Sequence, residues 1–251
     1  MAHKVFTQEL GFGELLSESF KLIKDKLSML ILFSIVFQLP SFIYTSFNPI
    51  SEYSAAMNPS IIFKMLILGL IGLISSIGIV KIIEDSIFEE SKSFGEYFSF
   101  SLKRYFPYFV TLIIFAFTIG TSFILLIIPG FFALTFFAFT TYSVVIRNLS
   151  NPFDAFKYSY NLVKGSALKV FGFGFGAIVL NAIVFLILYA IPLGFNPQAI
   201  INPNPDSNPI LALIPSVLGI FPTMFLVAFF VLLMINLEVE KGYYIDENEE
   251  E

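Results

Sequence analysis

Phe12-Gly13-Glu14-Leu15-Leu16-Ser17-Glu18-Ser19-Phe20 is the first of three copies of one phrase: an acid near a helix start, a serine five residues later, then a long apolar stretch. Phe94-Gly95-Glu96-Tyr97-Phe98-Ser99-Phe100-Ser101-Leu102 and Pro152-Phe153-Asp154-Ala155-Phe156-Lys157-Tyr158-Ser159-Tyr160 repeat it. The acids fall at 14, 96 and 154, so the spacing is uneven, 82 and then 58 residues. Each copy precedes enough apolar sequence for two membrane spans, and a repeat of this kind sets the architecture before any local feature does. The predicted fold is all-α and integral to a membrane: three repeats, each an interfacial amphipathic helix followed by a two-span hairpin. Repeat 1 covers about residues 10–83, repeat 2 about 93–146 and repeat 3 about 151–237, with an acidic tail over 238–251.

Composition supports a membrane chain and removes several chemistries. Hydrophobic residues make up 57% and charged residues only 13%, far from the soluble average. Residues 105–146 and 210–237 contain no charge at all, and about 20 apolar residues cross a hydrocarbon core. There is no cysteine, hence no disulfide, thiolate metal site or cysteine nucleophile. The single histidine, His3, leaves histidine catalysis and histidine-rich metal sites without material. Glu9, Glu14, Glu18 and Asp25 interrupt the region where a signal peptide would hold its apolar core. The net charge of −5 is concentrated in Asp246, Glu247, Glu249, Glu250 and Glu251, read as a solvated end.

Six spans are predicted, at about residues 27–47, 61–83, 106–128, 131–146, 170–193 and 210–237. The third and fourth are expected to meet at Pro129-Gly130, because the 42 uncharged residues there would run about 63 Å as one helix, twice the core thickness. A bend near Pro215 or Pro222 is expected in the sixth. Of the 14 basic residues, 13 fall on one side of this model: Lys4, Lys21, Lys24 and Lys26; Lys81, Lys92, Lys103 and Arg104; Arg147, Lys157, Lys164 and Lys169; and Lys241. Lys64 is the exception and snorkels from the outer end of span two. The positive-inside rule then places both termini in the cytoplasm. The outside connections, Asn48-Pro49 to Asn58-Pro59 and Pro197 through Pro209, are small and rich in proline and asparagine.

The phrase reads physically as a helix N-terminus. Ser93-Phe94-Gly95-Glu96 fits a capping box, and Asn151-Pro152-Phe153-Asp154 offers an asparagine cap with proline at the first helical position. Gly11-Phe12-Gly13-Glu14 is a weaker version, and all three acids suit the positive end of a helix dipole. Capping accounts for Glu14, Glu96 and Asp154; a shared ion or substrate site is the competing reading. Ser19, Ser101 and Ser159 are small residues that let the helix approach a span closely. In the first copy Phe12, Leu15, Leu16, Phe20, Ile23 and Leu27 recur at helical spacing, with Glu14, Glu18, Lys21 and Asp25 on other faces, so the segment suits the inner leaflet surface.

Pro129-Gly130 leading into an aromatic-rich span, then Asn151-Pro152-Phe153-Asp154-Ala155-Phe156-Lys157-Tyr158-Ser159-Tyr160-Asn161-Leu162-Val163-Lys164-Gly165, resembles the membrane domain found on some bacterial glycerophosphoryl diester phosphodiesterases. It is also similar to stand-alone YciC-like inner-membrane proteins. The enzyme's soluble barrel, with clustered histidines and acids, has no counterpart here. The resemblance therefore implies a bacterial cytoplasmic-membrane scaffold and not hydrolysis.

Other polar features are weighed against structural roles. Gln38, Asn181 and Asn236 are intramembrane amides, which more often bond helix to helix than form a site. Lys81 with Glu84 and Asp85 has the spacing of helix ion pairs and is expected as a solvated pair at the end of span two. Gly172-Phe173-Gly174-Phe175-Gly176 lacks the lysine and strand context of a nucleotide loop, whereas Gly172 and Gly176 make a small-residue pair for helix packing. No catalytic residue, metal or cofactor is expected. The expected function is a non-enzymatic inner-membrane scaffold or accessory protein whose partners are membrane lipids or a membrane protein, with no nucleic acid; a small six-span transporter or channel-like subunit is the alternative.

Overall fold

Each phrase folds as the start of a helix. The computed structural model describes residues 9–47, 58–190 and 219–243, and among them every regular element is α-helical. In chain order they are α1 (Phe12–Asp25), α2 (Leu27–Phe47), α3 (Pro59–Ile87), α4 (Phe94–Leu125), α5 (Ile127–Ile146), α6 (Pro152–Val163), α7 (Ala167–Ala190) and α8 (Ile220–Glu240). Five of them, α3, α4, α5, α7 and α8, are long and apolar enough to cross a membrane, so the chain is a multi-pass membrane protein. The predicted first span coincides with α2, whose described apolar stretch is the shorter Leu27–Phe37.

The three phrases share one burial pattern. Residues 11–20, 93–102 and 151–160 follow the same order of buried, half-buried and exposed residues at every position, and 21–30 continue to match 161–170. Leu15, Tyr97 and Ala155 occupy one buried position; Ser19, Ser101 and Ser159 occupy the other. The second phrase differs in one respect. α1 and α6 are set off from the next helix, by Lys26 and by residues 164–166, but α4 runs unbroken from Phe94 to Leu125. Pro107 stands six residues after Ser101, where Gly165 follows Ser159, yet it lies inside the unbroken helix, so the second phrase continues without a separate interfacial element.

Helix pairing is cyclic. α2 packs on α3, α4 on α5 and α7 on α8. Between these pairs, the start of α4 packs on α3, α6 packs on α5, and α1 packs on α8. The first phrase helix thus docks on the last helix just as the second and third dock on the helices that precede them. α3 touches both α5 and α8 at the centre. α8 is innermost, with 72% of its most apolar stretch buried against 11% for α4 and 17% for α7. Ile79, Ile83, Val144, Val145, Leu232, Leu233 and Ile235 share the apolar core.

The described prolines at 59, 129 and 222 fall in the first turns of helices, and several glycines admit aromatic rings. α4 ends at Leu125 and α5 begins at Ile127, so the chain turns at Leu126 and not at Pro129-Gly130. Pro129 instead lies in the first turn of α5, where its missing N–H would have no helical partner. Pro222 likewise lies in the first turn of α8 and bends nothing there, and Pro215 falls outside the described residues. Asn58 caps α3 by accepting from Ser60 N at 3.0 Å, with Pro59 at the first helical position; the rest of that predicted connection, residues 197–209 and the acids at 246–251 lie outside the described residues. A Cβ at Gly78 would lie 2.1 Å from Phe33 Cε1, and one at Gly130 2.4 Å from Phe123 Cδ1. Gly172 faces open space, whereas Gly174 meets Phe230 and Gly176 meets Phe12, so the close approaches are glycine-to-phenylalanine contacts and the Gly172–Gly176 pair is not one of them.

Candidate functional site

Helices α3, α5 and α8 end near one another, and among the described residues their ends gather a cluster of buried charge. Acids there oppose the negative end of the helix dipole and need cations to hold them. On α3, Lys81 lies 3.0 Å from Glu84 and 2.8 Å from Asp85. Lys92, just before the second phrase, reaches Asp85 and Glu90, each at 2.9 Å. Glu84 and Asp85 are buried, at 8% and 1% exposure, so the predicted solvated pair is a buried cluster. It is shielded because the phrase start of α4 lies over it: Tyr97 is buried beside Asp85, and the ring of Phe100 sits 5.5 Å from Lys81 Nζ. Burial alone would lower the affinity of Lys92 for its proton, but hydrogen bonds to Glu90 and Asp85 outweigh it and hold the lysine above its ordinary value.

The second part of the site joins the other two ends. Glu238, in the last turn of α8, is 0% exposed. Arg147, directly after α5, grips it with both arms of the guanidinium: Nε donates to Oε1 at 3.0 Å and Nη2 donates to Oε2. The Tyr158 hydroxyl, from the third phrase, donates to the same Oε1. Burial, and then the charge of Glu238, raise the tyrosine above its ordinary value. Burial opposes the charged form of Arg147, but its bonds to Glu238 prevail. Nearby, Lys169 bridges Glu9 at 2.6 Å and Glu240 at 2.9 Å, and the hydrogen bond holds Glu9 below the usual carboxylate range.

The predicted phrase residues are placed in two layers. Glu14, Glu96 and Asp154 are exposed, each at the start of its own helix, and make no contact with one another. Glu14 accepts from Gly11 N at 2.9 Å, half of a capping box. Glu96 accepts from Ser93 N and Ser93 Oγ at 2.7 Å, and its own N–H donates to Ser93 Oγ at 3.4 Å. At the third start Asn151 provides the cap, accepting from Phe153 N at 3.1 Å, while Asp154 has no hydrogen-bond partner among the described residues. The serines are all fully buried. Ser19 and Ser101 donate to Leu15 O and Tyr97 O one turn back, at 2.7 and 2.9 Å. Ser159 does something different: α5 is broken between Phe136 and Thr140, and Ser159 Oγ donates to Phe136 O at 2.9 Å and accepts from Phe139 N at 3.1 Å. It satisfies backbone groups that the break would leave unpaired.

Of the intramembrane amides, Asn236 accepts from Leu10 N at 3.2 Å and so ties the N-terminal segment to α8. Asn181 Oδ1 is buried without a hydrogen-bond partner among the described residues, and the side chain of Gln38 lies outside them. Among the described residues no group of three or more acids and histidines is disposed to hold a metal. Arg147, Tyr158 and Glu238 are absent from the sequence-level candidates. A signal for two of them exists: Arg147 and Glu238 are the first charges after the two charge-free runs. Their pairing is a tertiary fact across 91 positions.

Residues 59–234 match the family model described as a domain of unknown function (DUF7847). No curated protein and no solved structure matches the chain.

Proposed function

The chain belongs to the DUF7847 family, and for it we propose a non-enzymatic scaffold or accessory protein of the bacterial inner membrane that binds membrane lipids or a membrane-protein partner. In this reading six spans form three repeats, both termini are cytoplasmic, and the phrase helices lie at the inner leaflet. The observation that carries the proposal is the tied centre: a buried ion pair joins the ends of α5 and α8, Lys81 and Lys92 hold the buried Asp85 at the end of α3, and apolar side chains fill the core that these helices share. Fixed, paired charge suits a structural role, since each carboxylate of the cluster is already engaged by a cation. The residue after each phrase serine supports lipid contact at equivalent places: Phe20, Leu102 and Tyr160 are 49%, 50% and 41% exposed. The resemblance to phosphodiesterase membrane domains and YciC-like proteins supports the location.

The break in α5 favours the second reading, a small six-span transporter or channel-like subunit, because interrupted spans often line transport sites. One experiment separates the two. A photo-crosslinking residue at Phe153, exposed on α6, is expected to capture a discrete membrane protein or phospholipid in cells. The same protein in sealed liposomes is expected to support neither substrate turnover nor solute flux. Protein-dependent flux would displace the scaffold reading in favour of the transporter.

A further inference from the structure

The turn between α4 and α5 has the wrong chemistry for water. Ile124, Leu125, Leu126, Ile127 and Ile128 are consecutive, and each is between 67% and 86% exposed. No polar side chain occurs between Ser122 and Thr135. Five large apolar residues in a row at the tip of an aqueous loop would each forgo the stabilisation that burial of such a side chain brings. A protein-binding patch normally carries a polar rim, and residues 123–134 supply none. Its backbone is also economical in unpaired groups. Leu126 N donates to Ser122 O and Gly130 N to Leu126 O, both at 3.2 Å, and Pro129 removes a donor that the start of α5 would leave free.

Length gives the same answer. The last charge before the turn is Arg104, and the helix from there to Leu125 rises about 31 Å, or about 30 Å with an ordinary tilt of about 20°. A hydrocarbon core is about 30 Å thick, and headgroups add about 5–8 Å on each side. The chain therefore turns at the far edge of the acyl chains without crossing the headgroup layer.

We propose that the α4–α5 hairpin ends inside the hydrocarbon of the far leaflet, with residues 124–128 covered by lipid acyl chains. The inference rests on the chain crossing the bilayer and is independent of the scaffold reading. At this corner of the molecule the leaflet closes over the protein, and the hairpin offers no loop to the far side.

The native chain has no cysteine, so a single one reports its own surroundings. Full-length Leu126→Cys and, as control, Ser60→Cys at the exposed start of α3 carry a nitroxide in phosphatidylcholine–phosphatidylglycerol vesicles. The expected result at 126 is frequent collision with oxygen and a collision rate with a water-soluble nickel chelate at least about tenfold below that at 60, as hydrocarbon depth demands. Nickel collision at 126 equal to that at 60 would put the tip in water and overturn the proposal. An immobilised label shielded from both reagents would also overturn it, because protein would then cover the tip. Ile128→Cys is expected to give the same pattern and serves if Leu126→Cys expresses poorly.

Discussion

Glu238 sits at the wrong end of its helix. A carboxylate in the last turn faces the negative end of the dipole, and this one is fully buried, so Arg147 and Tyr158 must hold it. Removing one partner of a buried pair leaves an uncompensated charge, whereas replacing both by apolar groups is often neutral. Arg147→Ala is therefore expected to destabilise the protein by about 3–5 kcal/mol, with Arg147→Met plus Glu238→Leu recovering most of it. Thermal unfolding in detergent measures both, and equal losses in the single and double variants would refute the pairing argument. Tyr158 makes a pH prediction. Its folded value is raised by burial and by Glu238, so its contribution is fully present below the ordinary tyrosine value of about 10 and is lost as pH rises through the folded value. Stability between about pH 9 and 11 should fall less steeply in Tyr158→Phe than in the parent. An unchanged slope would show that Tyr158 is not the titrating group.

Between elements, phenylalanine against glycine recurs. Gly78 admits Phe33 at the α2–α3 crossing, and Gly130 admits Phe123 between α4 and α5. Gly78→Ala is expected to cost about 1–3 kcal/mol through overpacking. Gly72→Ala, six residues earlier on the same helix and in open space, should be neutral or stabilising by up to about 1 kcal/mol. Melting of the two variants side by side checks this, and a Phe33→Leu background should relieve the first. Much at this scale was legible in the sequence. The phrase starts read as helix N-termini because Ser93, Glu96 and Asn151 are capping residues whose partners lie within three positions. The charge-free runs read as spans because hydrocarbon thickness fixes their length. What was not legible depends on distant partners: which glycines meet a ring, that Ser159 would satisfy a break in α5, and that Arg147 would find Glu238. The turn at Leu126 was missed for a local reason, since Pro-Gly serves a helix start as well as a loop.

At the scale of the molecule, the cyclic packing makes the place where the chain opens arbitrary. α1 docks on α8 as the start of α4 docks on α3 and as α6 docks on α5. The helices before each docking site end alike, with a left-handed residue: Glu89 (φ 59), Asn148 (φ 54) and Gly242 (φ 67). α3 and α8 even share the same closing bonds, Glu90 N to Asp85 O with Glu89 N to Ser86 O, and Tyr243 N to Glu238 O with Gly242 N to Val239 O. Three residues separate Glu89 from the cap Ser93, and two separate Asn148 from the cap Asn151. Joining Tyr243 directly to Glu9 would put Tyr243, Glu9 and Leu10 between Gly242 and the cap Gly11, the same length as the first natural link. Lys169 already bridges Glu9 to Glu240, and Leu10 already bonds Asn236, so the ends to be joined are held at one corner. Opening the chain between Leu149 and Ser150 then leaves both new ends on the charged face, beside Arg147. This permutant is expected to insert, to purify as the parent does and to melt within about 5 °C of it, as permutation between neighbouring termini allows. A control opened at the same point without the new link should lose the repeats to separate fragments. If the permutant aggregates while the parent folds, the contact of α1 with α8 is not equivalent to the other two, and the cyclic description fails.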